Sequence, residues 1–159
     1  MKLQNKRLYP YMFLFGCVIA GTVWHFYVPN HRPEVLISLV GTVGGFTYFF
    51  YSQHLNETKL LKELIVEFNQ RYASLNANLN KILFGPQEGL LSEKDRDHVF
   101  SYFNLCAEEY FFYTTGYIDN KIWQAWYSGM KVFFKHPRIR ALWNEDSRTS
   151  SYYGFEPPA

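Results

Sequence analysis

The sequence reads LYPYMFLFGCVIAGTVWHFYV at residues 8–28 and VLISLVGTVGGFTYFFY at residues 35–51, with the short turn PNHRPE between them. Neither apolar stretch contains an Asp, Glu, Lys or Arg residue. A helix needs ~20 apolar residues to cross a bilayer core that is ~30 Å thick, and lengths of ~17–25 residues occur. The pattern therefore predicts a transmembrane helical hairpin at residues 1–54, followed by a small cytosolic helical domain at residues 55–159.

Basic residues near the ends of the two stretches predict the orientation of the hairpin. Lys2, Lys6 and Arg7 precede the first stretch, and Lys59 and Lys62 follow the second. Cytoplasmic flanks of membrane helices carry an excess of Lys and Arg. Both termini are therefore expected in the cytoplasm, with the turn on the opposite side.

Small residues recur at four-residue spacing in both stretches. Gly16 and Ala20 form one pair, and Gly41 and Gly45 form another. Such pairs let helix backbones approach closely in lipid, where apolar character alone does not drive association. One pair is sufficient for the hairpin, so the second indicates self-assembly. Because the stretches carry no carboxylate or amine, they do not indicate a proton relay or an ion-coupled transporter.

Beyond the hairpin, apolar residues alternate at four- and three-residue intervals, which is typical of a helix that packs along one face. They are Leu61, Ile65, Phe68, Tyr72, Leu75, Leu79 and Ile82. No Pro or Gly interrupts residues 53–84, so the second span is predicted to continue into this helix. Ser92, Asp119 and Pro137 are predicted to begin three further helices, and Gly116 to end one. With no alternating strand pattern, the fold class is predicted to be all-α.

The sequence contains no recognised catalytic motif: no phosphate-binding glycine loop, no nucleophile elbow, no HExxH and no paired CxxC. Asp95 and His98 lie three residues apart on a helix, but a second half-site for a metal is missing. Glu108 and Glu109 diverge on a helix and are expected at a solvated surface. The two cysteines are expected to be buried thiols. We therefore predict no enzyme activity, no catalytic residue, no metal and no cofactor.

A cluster of basic and aromatic residues near the C-terminal end gives the strongest signal for a ligand. Residues 120–159 carry six bases and three acids, whereas residues 88–119 carry seven acids and two bases. Arg binds phosphate groups through two parallel N–H donors, and aromatic rings stack on bases. The residues predicted to bind a nucleotide or another phosphorylated ligand are Lys135, His136, Arg138, Arg140, Trp143, Tyr152 and Tyr153.

Three other interpretations of this region stay open. Trp123 and Trp126 can belong to the core of the domain. The bases can lie against anionic lipid headgroups, or they can pair with the acidic segment at residues 88–119. If a ligand does bind, Arg148 and the hydroxyl groups of residues 147–151 offer additional donors.

The layout resembles that of the two-span membrane effectors of type III CRISPR anti-phage systems, which are gated by cyclic tetra-adenylate. The resemblance lies in the hairpin at 8–51, in YFNLCAEEYFFYTTGYIDNKIW at 102–123 and in KVFFKHPRIR at 131–140. It implies an antiviral homotetramer in a bacterial inner membrane, whose cytosolic domains jointly bind one cyclic oligoadenylate and which then perturbs or depolarises the membrane. It also implies three partners: the cyclic oligoadenylate, the lipid bilayer and other copies of the chain. No double-stranded nucleic acid is expected.

A membrane-anchored scaffold is a different interpretation of the same layout, and a retron-type transmembrane toxin is another. Neither binds a nucleotide. The scaffold predicts an exposed apolar surface that a protein partner covers.

Overall fold

Five α-helices make up most of the chain in the computed structural model, which describes residues 8–85, 89–146 and 151–158. They are α1 (Leu8–Tyr27), α2 (Pro33–Phe84), α3 (Glu93–Thr114), α4 (Asn120–Phe134) and α5 (Pro137–Asp146), and a 3-10 turn at Pro29–His31 precedes α2. No strand occurs among the described residues, so the all-α prediction is confirmed. The chain divides into two compact units, a hairpin unit (Lys2–Leu60) and a bundle unit (Leu61–Ala159).

Small side chains hold α1 against the first part of α2 in the hairpin unit. Ala20 is buried, and a Cβ atom placed on Gly16 would lie 2.5 Å from a methyl carbon of Val43. Only glycine therefore permits this approach of the two backbones. The indole N–H of Trp24 donates a hydrogen bond of 2.9 Å to the carbonyl of Arg32, which joins the end of α1 to the turn.

The outward surface of the hairpin unit is apolar. Phe15, Phe26 and Phe46 are 68%, 73% and 63% exposed, and almost none of the apolar part of either helix is buried within the chain. The core helix of a water-soluble protein would bury such side chains. The chain thus has two helices that are long and apolar enough to span a membrane.

The helix α2 continues without a break from the hairpin unit into the bundle unit, as the sequence predicted. Its buried side chains in the bundle unit are Leu61, Leu64, Phe68, Leu79 and Ile82. The buried stripe is broader than the predicted seam and includes Leu64, because α2 packs against two helices at once. Phe68 shows this, since its ring lies 5.7 Å both from Phe112 of α3 and from Trp126 of α4.

The predicted helix ends in the bundle unit are confirmed. The Ser92 hydroxyl accepts a hydrogen bond of 3.2 Å from the backbone N–H of Asp95, and Asp119 accepts one of 2.8 Å from that of Lys121. These side chains satisfy N–H groups that the first turn of a helix leaves without a partner. Gly116 has a φ of +85°, a left-handed conformation that glycine adopts without strain.

Aromatic side chains form a large part of the core of the bundle unit. Phe103 of α3 and Phe134 of α4 stack with ring centroids 5.5 Å apart. Trp143 of α5 and Tyr152 of the C-terminal segment meet Phe103 edge-on, at 5.0 and 6.2 Å. Trp123 is buried in this core as well, as one of the open interpretations held. This packing holds α5 and residues 151–158 beside α3.

Candidate functional site

Three of the seven predicted ligand-binding residues line one pocket in the bundle unit. These are Arg140, Trp143 and Tyr152, and the remaining wall comes from the C-terminal segment at residues 154–157. The pocket has a volume of about 560 Å³, which is within the range of small-molecule sites. We refer to it as the tail pocket.

Arg140 supplies the positive charge of the tail pocket. Its guanidinium group donates a hydrogen bond to the carbonyl of Pro158 and lies 5.9 Å from the ring centroid of Phe134. These contacts fix the direction of the side chain. The other guanidinium N–H groups donate no hydrogen bond to the residues that the structure describes, so they can bind an anion. The Glu156 carboxylate also lines the pocket, so a ligand there meets one charge of each sign.

Trp143 and Tyr152 form the aromatic side of the tail pocket. Their ring centroids lie 4.7 Å apart, and each side chain is only 6% exposed. The Tyr152 hydroxyl donates to the carboxylate of Asp146, and burial, together with this bond, raises the pKa of Tyr152. The rings are thus mostly part of the core, and only a small part of each lines the pocket.

The other four predicted residues do not line the tail pocket. Lys135 is exposed just after α4, and Tyr153 is exposed with its ring 5.3 Å from that of Phe111. Arg138 donates a hydrogen bond of 3.4 Å to the carbonyl of Ile82, near the end of α2. Arg138 and Arg140 diverge because residues two positions apart on a helix point in nearly opposite directions.

His136 is buried rather than presented to a ligand. It is 4% exposed, and neither ring nitrogen has a hydrogen-bond partner among the described residues. Burial and the neighbouring Arg138 charge lower the pKa of His136, so the ring is held in its neutral form. Arg148 and the hydroxyl groups of residues 147–150 lie outside the described residues.

Glu109 is the polar residue that sequence reasoning missed. It was expected at a solvated surface, but it is 6% exposed on the inner face of α3. That prediction was wrong because Glu109 lies three residues after Cys106 and seven after Tyr102, both of which are buried. Helical spacing from these positions is the signal that could have located it.

The surroundings of Glu109 change its chemistry. Burial raises the pKa of this carboxyl to about 8; the Arg71 charge opposes that shift, and the Glu108 charge adds to it. Glu108 itself pairs with Arg71, whose guanidinium lies 2.5 and 3.0 Å from the two carboxylate oxygens. Burial also raises the pKa of the neighbouring Tyr102 hydroxyl and that of the Cys106 thiol.

No group of three or more His, Cys, Asp or Glu side chains arranged for a metal ion occurs within residues 8–85, 89–146 and 151–158. Comparison of the chain with protein-family models, curated proteins and solved structures finds no match.

Proposed function

We propose that this chain is a two-span membrane effector that binds a cyclic oligoadenylate second messenger and perturbs the inner membrane of a bacterium in antiviral defence. The hairpin unit is the membrane anchor, and both termini lie in the cytoplasm. The bundle unit is the sensor, and the tail pocket is its ligand site. The active form is a homotetramer that holds one cyclic tetra-adenylate.

The exposed apolar surface of the hairpin unit supports the membrane part of this proposal. Side chains such as Phe15, Phe26 and Phe46 expose most of their surface, and a bilayer would cover them. The hydroxyl groups of this unit fit the same environment. Those of Thr22, Ser38, Thr42 and Thr47 each donate to the carbonyl four residues earlier, at 2.8–2.9 Å, so they need no water.

The continuity of α2 is the observation that carries the effector part of the proposal. One unbroken helix of 52 residues contains both the second apolar stretch and buried residues of the bundle unit such as Phe68. Sensor and anchor therefore share a helix instead of being joined by a linker. A change in the packing of the bundle unit would thus act on a helix that also belongs to the membrane hairpin.

The composition of the tail pocket supports a nucleotide ligand shared between copies. Each copy offers one phosphate donor, Arg140, and one carboxylate, Glu156, that can accept a hydrogen bond from a base amine. A fourfold cyclic ligand would repeat these contacts in every subunit. Gly41 and Gly45 support self-assembly, because their faces have open space within 4 Å while Gly16 is already used inside the hairpin.

Binding of cyclic tetra-adenylate to the full-length protein in lipid nanodiscs tests the proposal. We expect calorimetry to detect binding that weakens as NaCl rises from 50 to 500 mM, because exposed charge contacts are screened. Arg140→Gln should weaken binding at least ~10-fold, since a hydrogen bond to a charged group contributes ~1.5–3 kcal/mol. Lys121→Gln is the matched control, because Lys121 is exposed on α4 and does not line the pocket.

Two results would overturn this assignment. One is the absence of binding by any cyclic oligoadenylate at millimolar concentration, and the other is an unchanged affinity in Arg140→Gln. The membrane part has its own test: the protein should remain in the membrane pellet after carbonate extraction, and release into the supernatant would refute the anchor.

A scaffold for a protein partner is the second candidate, and two exposed apolar side chains favour it. Phe84 at the end of α2 is 82% exposed, and Leu90 before α3 is 97% exposed. A partner in stoichiometric amount that co-purifies with the native protein, and is lost in Phe84→Ser, would support the scaffold. Purification of the native protein without any such partner would count against it.

A further inference from the structure

A second cavity in the bundle unit has no role in the function proposed above. It has a volume of about 180 Å³ and is lined by residues of α2, α3 and α4, among them Glu109, Tyr72, Tyr102 and Trp126. We call it the Glu109 cavity. A cavity near 150 Å³ accommodates a molecule the size of benzene. The Glu109 cavity therefore has room for a group of about six heavy atoms.

Glu109 supplies the only carboxylate among the described residues that line this cavity. Glu109 is 94% buried, and it makes no hydrogen bond or ion pair with the residues that the structure describes. An ionised carboxylate in a protein interior is costly unless a positive charge or hydrogen bonds compensate it. A site that keeps such a group needs a compensating partner from outside the chain, or a proton.

Arg71 is the basic residue that interacts electrostatically with Glu109, but its guanidinium group is already paired with another carboxylate. Arg71 contacts both carboxylate oxygens of Glu108, at 2.5 and 3.0 Å, and lies 3.8 Å from a Glu67 oxygen. Two carboxylates thus share one guanidinium group, and Arg71 acts on Glu109 only through the longer-range field. This local excess of negative charge favours a cationic ligand.

The remaining wall of the cavity determines which cation fits. Tyr72, Tyr102 and Trp126 contribute aromatic rings, and Met130 contributes a polarisable thioether. Among the described residues that line the cavity, the amide of Asn69 is the one other polar side chain. Aromatic rings attract cations through their negative faces and are the usual enclosure of quaternary ammonium groups. Oxygen ligands are too few for a hard metal ion, which requires about six. Alkyl groups, by contrast, suit this wall.

We propose that the Glu109 cavity binds a small alkylated ammonium ion, whose charge the Glu109 carboxylate neutralises while Tyr72, Tyr102 and Trp126 surround its methyl groups. The inference is independent of the nucleotide site, because the two cavities share no lining residue.

A proton competes with the cation for Glu109. Burial raises the pKa of this carboxyl to about 8, so without a bound cation the carboxyl is mostly protonated at neutral pH. The cation must displace this proton, and binding should therefore strengthen as the pH rises towards 9. The charged or titratable groups that interact with Glu109 are Arg71 and Tyr72 on α2 and Tyr102, Cys106 and Glu108 on α3. Glu67 on α2 lies next to Arg71. The wall residues of α4 are the uncharged Ala125, Trp126, Gly129 and Met130.

The test uses choline chloride and the full-length protein in a detergent without a choline headgroup, in borate rather than amine buffer at pH 9. The first control is 3,3-dimethylbutan-1-ol, the neutral isostere of choline, which has the same shape without the charge. The second control is NaCl at the same ionic strength as the choline chloride. We expect choline to raise the melting temperature and to give a calorimetric binding isotherm, and the alcohol to do neither. The choline affinity should be roughly 100-fold weaker at pH 6 than at pH 9, which is the ratio of ionised carboxylate for a pKa near 8.

Glu109→Gln keeps the shape of the side chain and removes its charge, so choline binding should fall at least ~10-fold. Glu93→Gln is the matched control, because it makes the same change at an exposed position on α3. Trp126→Phe keeps a ring and should bind more tightly than Trp126→Leu, which gives a second test if Glu109→Gln folds poorly. The proposal is overturned if 50 mM choline has no effect at pH 9, if the alcohol binds equally well, or if Glu109→Gln binds choline like the native protein.

Discussion

The hairpin unit and the bundle unit are both helical, but they place polar and apolar groups in opposite ways. In the hairpin unit, large apolar side chains such as Phe46 face outward, and hydroxyl groups bond within their own helix. In the bundle unit, phenylalanines such as Phe103 are buried, and one ionisable carboxyl, Glu109, lies inside. Helix formation alone therefore does not distinguish the two units. The two units differ in the polarity of their outer surfaces, and therefore in the solvent that suits each of them.

Replacing a phenylalanine in each unit should give the largest contrast. Phe103→Ala should lower the free energy of unfolding by about 3–5 kcal/mol, because it leaves a cavity in a packed core. Phe46→Ala should change the unfolding of the bundle unit by less than ~0.5 kcal/mol, since that side chain is 63% exposed in the hairpin unit. Urea titration followed by near-UV circular dichroism measures both. Equal losses would contradict the distinction between the units.

The pH dependence of stability tests the buried carboxyl. In the unfolded chain Glu109 ionises near its ordinary pKa of 4.5, whereas in the native protein it does so near 8. The native state therefore holds more protons between these values, so stability should fall as the pH rises from about 4.5 to 8 and level off above. Glu109→Gln should not lose stability over this pH range. At pH 9 its free energy of unfolding should exceed that of the native protein by on the order of 2–5 kcal/mol.

At pH 4.5 the same variant and the native protein should have similar stability, because both side chains are then uncharged. Thermal unfolding at pH 4.5, 7 and 9 measures the difference, with Glu93→Gln as the control for loss of an exposed carboxylate. A difference between Glu109→Gln and the native protein that does not change with pH would mean that Glu109 is ionised at neutral pH.

An arginine placed on the outer surface should have its larger effect in the hairpin unit, whereas the loss of a phenylalanine has its larger effect in the bundle unit. Phe46→Arg should oppose membrane insertion by about 2.5–3.5 kcal/mol, the cost of an arginine near the centre of a span. Val132→Arg in the bundle unit should change stability by less than ~0.5 kcal/mol, because Val132 is 51% exposed on α4. The fraction of protein in the carbonate-resistant pellet measures insertion. Equal membrane fractions for the two variants would contradict a lipid-facing hairpin.

The same contrast explains what could be predicted from the sequence. Uncharged apolar length, helical spacing and capping residues such as Ser92 and Asp119 act locally, so they indicated the helices and their ends. The interior of the bundle unit was harder to predict from the sequence. The charge of Glu109 indicated an exposed position, whereas its helical spacing from Cys106 indicated a buried one. Composition also placed Arg138 and Arg140 in one predicted site. On a helix, however, residues two positions apart point in nearly opposite directions, and of these two only Arg140 lines the tail pocket.

The smallest predicted effect concerns the start of α3 in the bundle unit. Ser92→Ala should lower the free energy of unfolding by about 1 kcal/mol, because the N–H of Asp95 loses its acceptor and the first turn of α3 loses its cap. Ser128→Ala is the matched control: the Ser128 hydroxyl only donates to the carbonyl of Gln124 within α4, so its loss should be neutral or slightly stabilising. Thermal unfolding of the two variants, side by side, measures the difference. If Ser128→Ala costs as much as Ser92→Ala, the loss comes from the hydroxyl group in general, and capping does not set the start of α3.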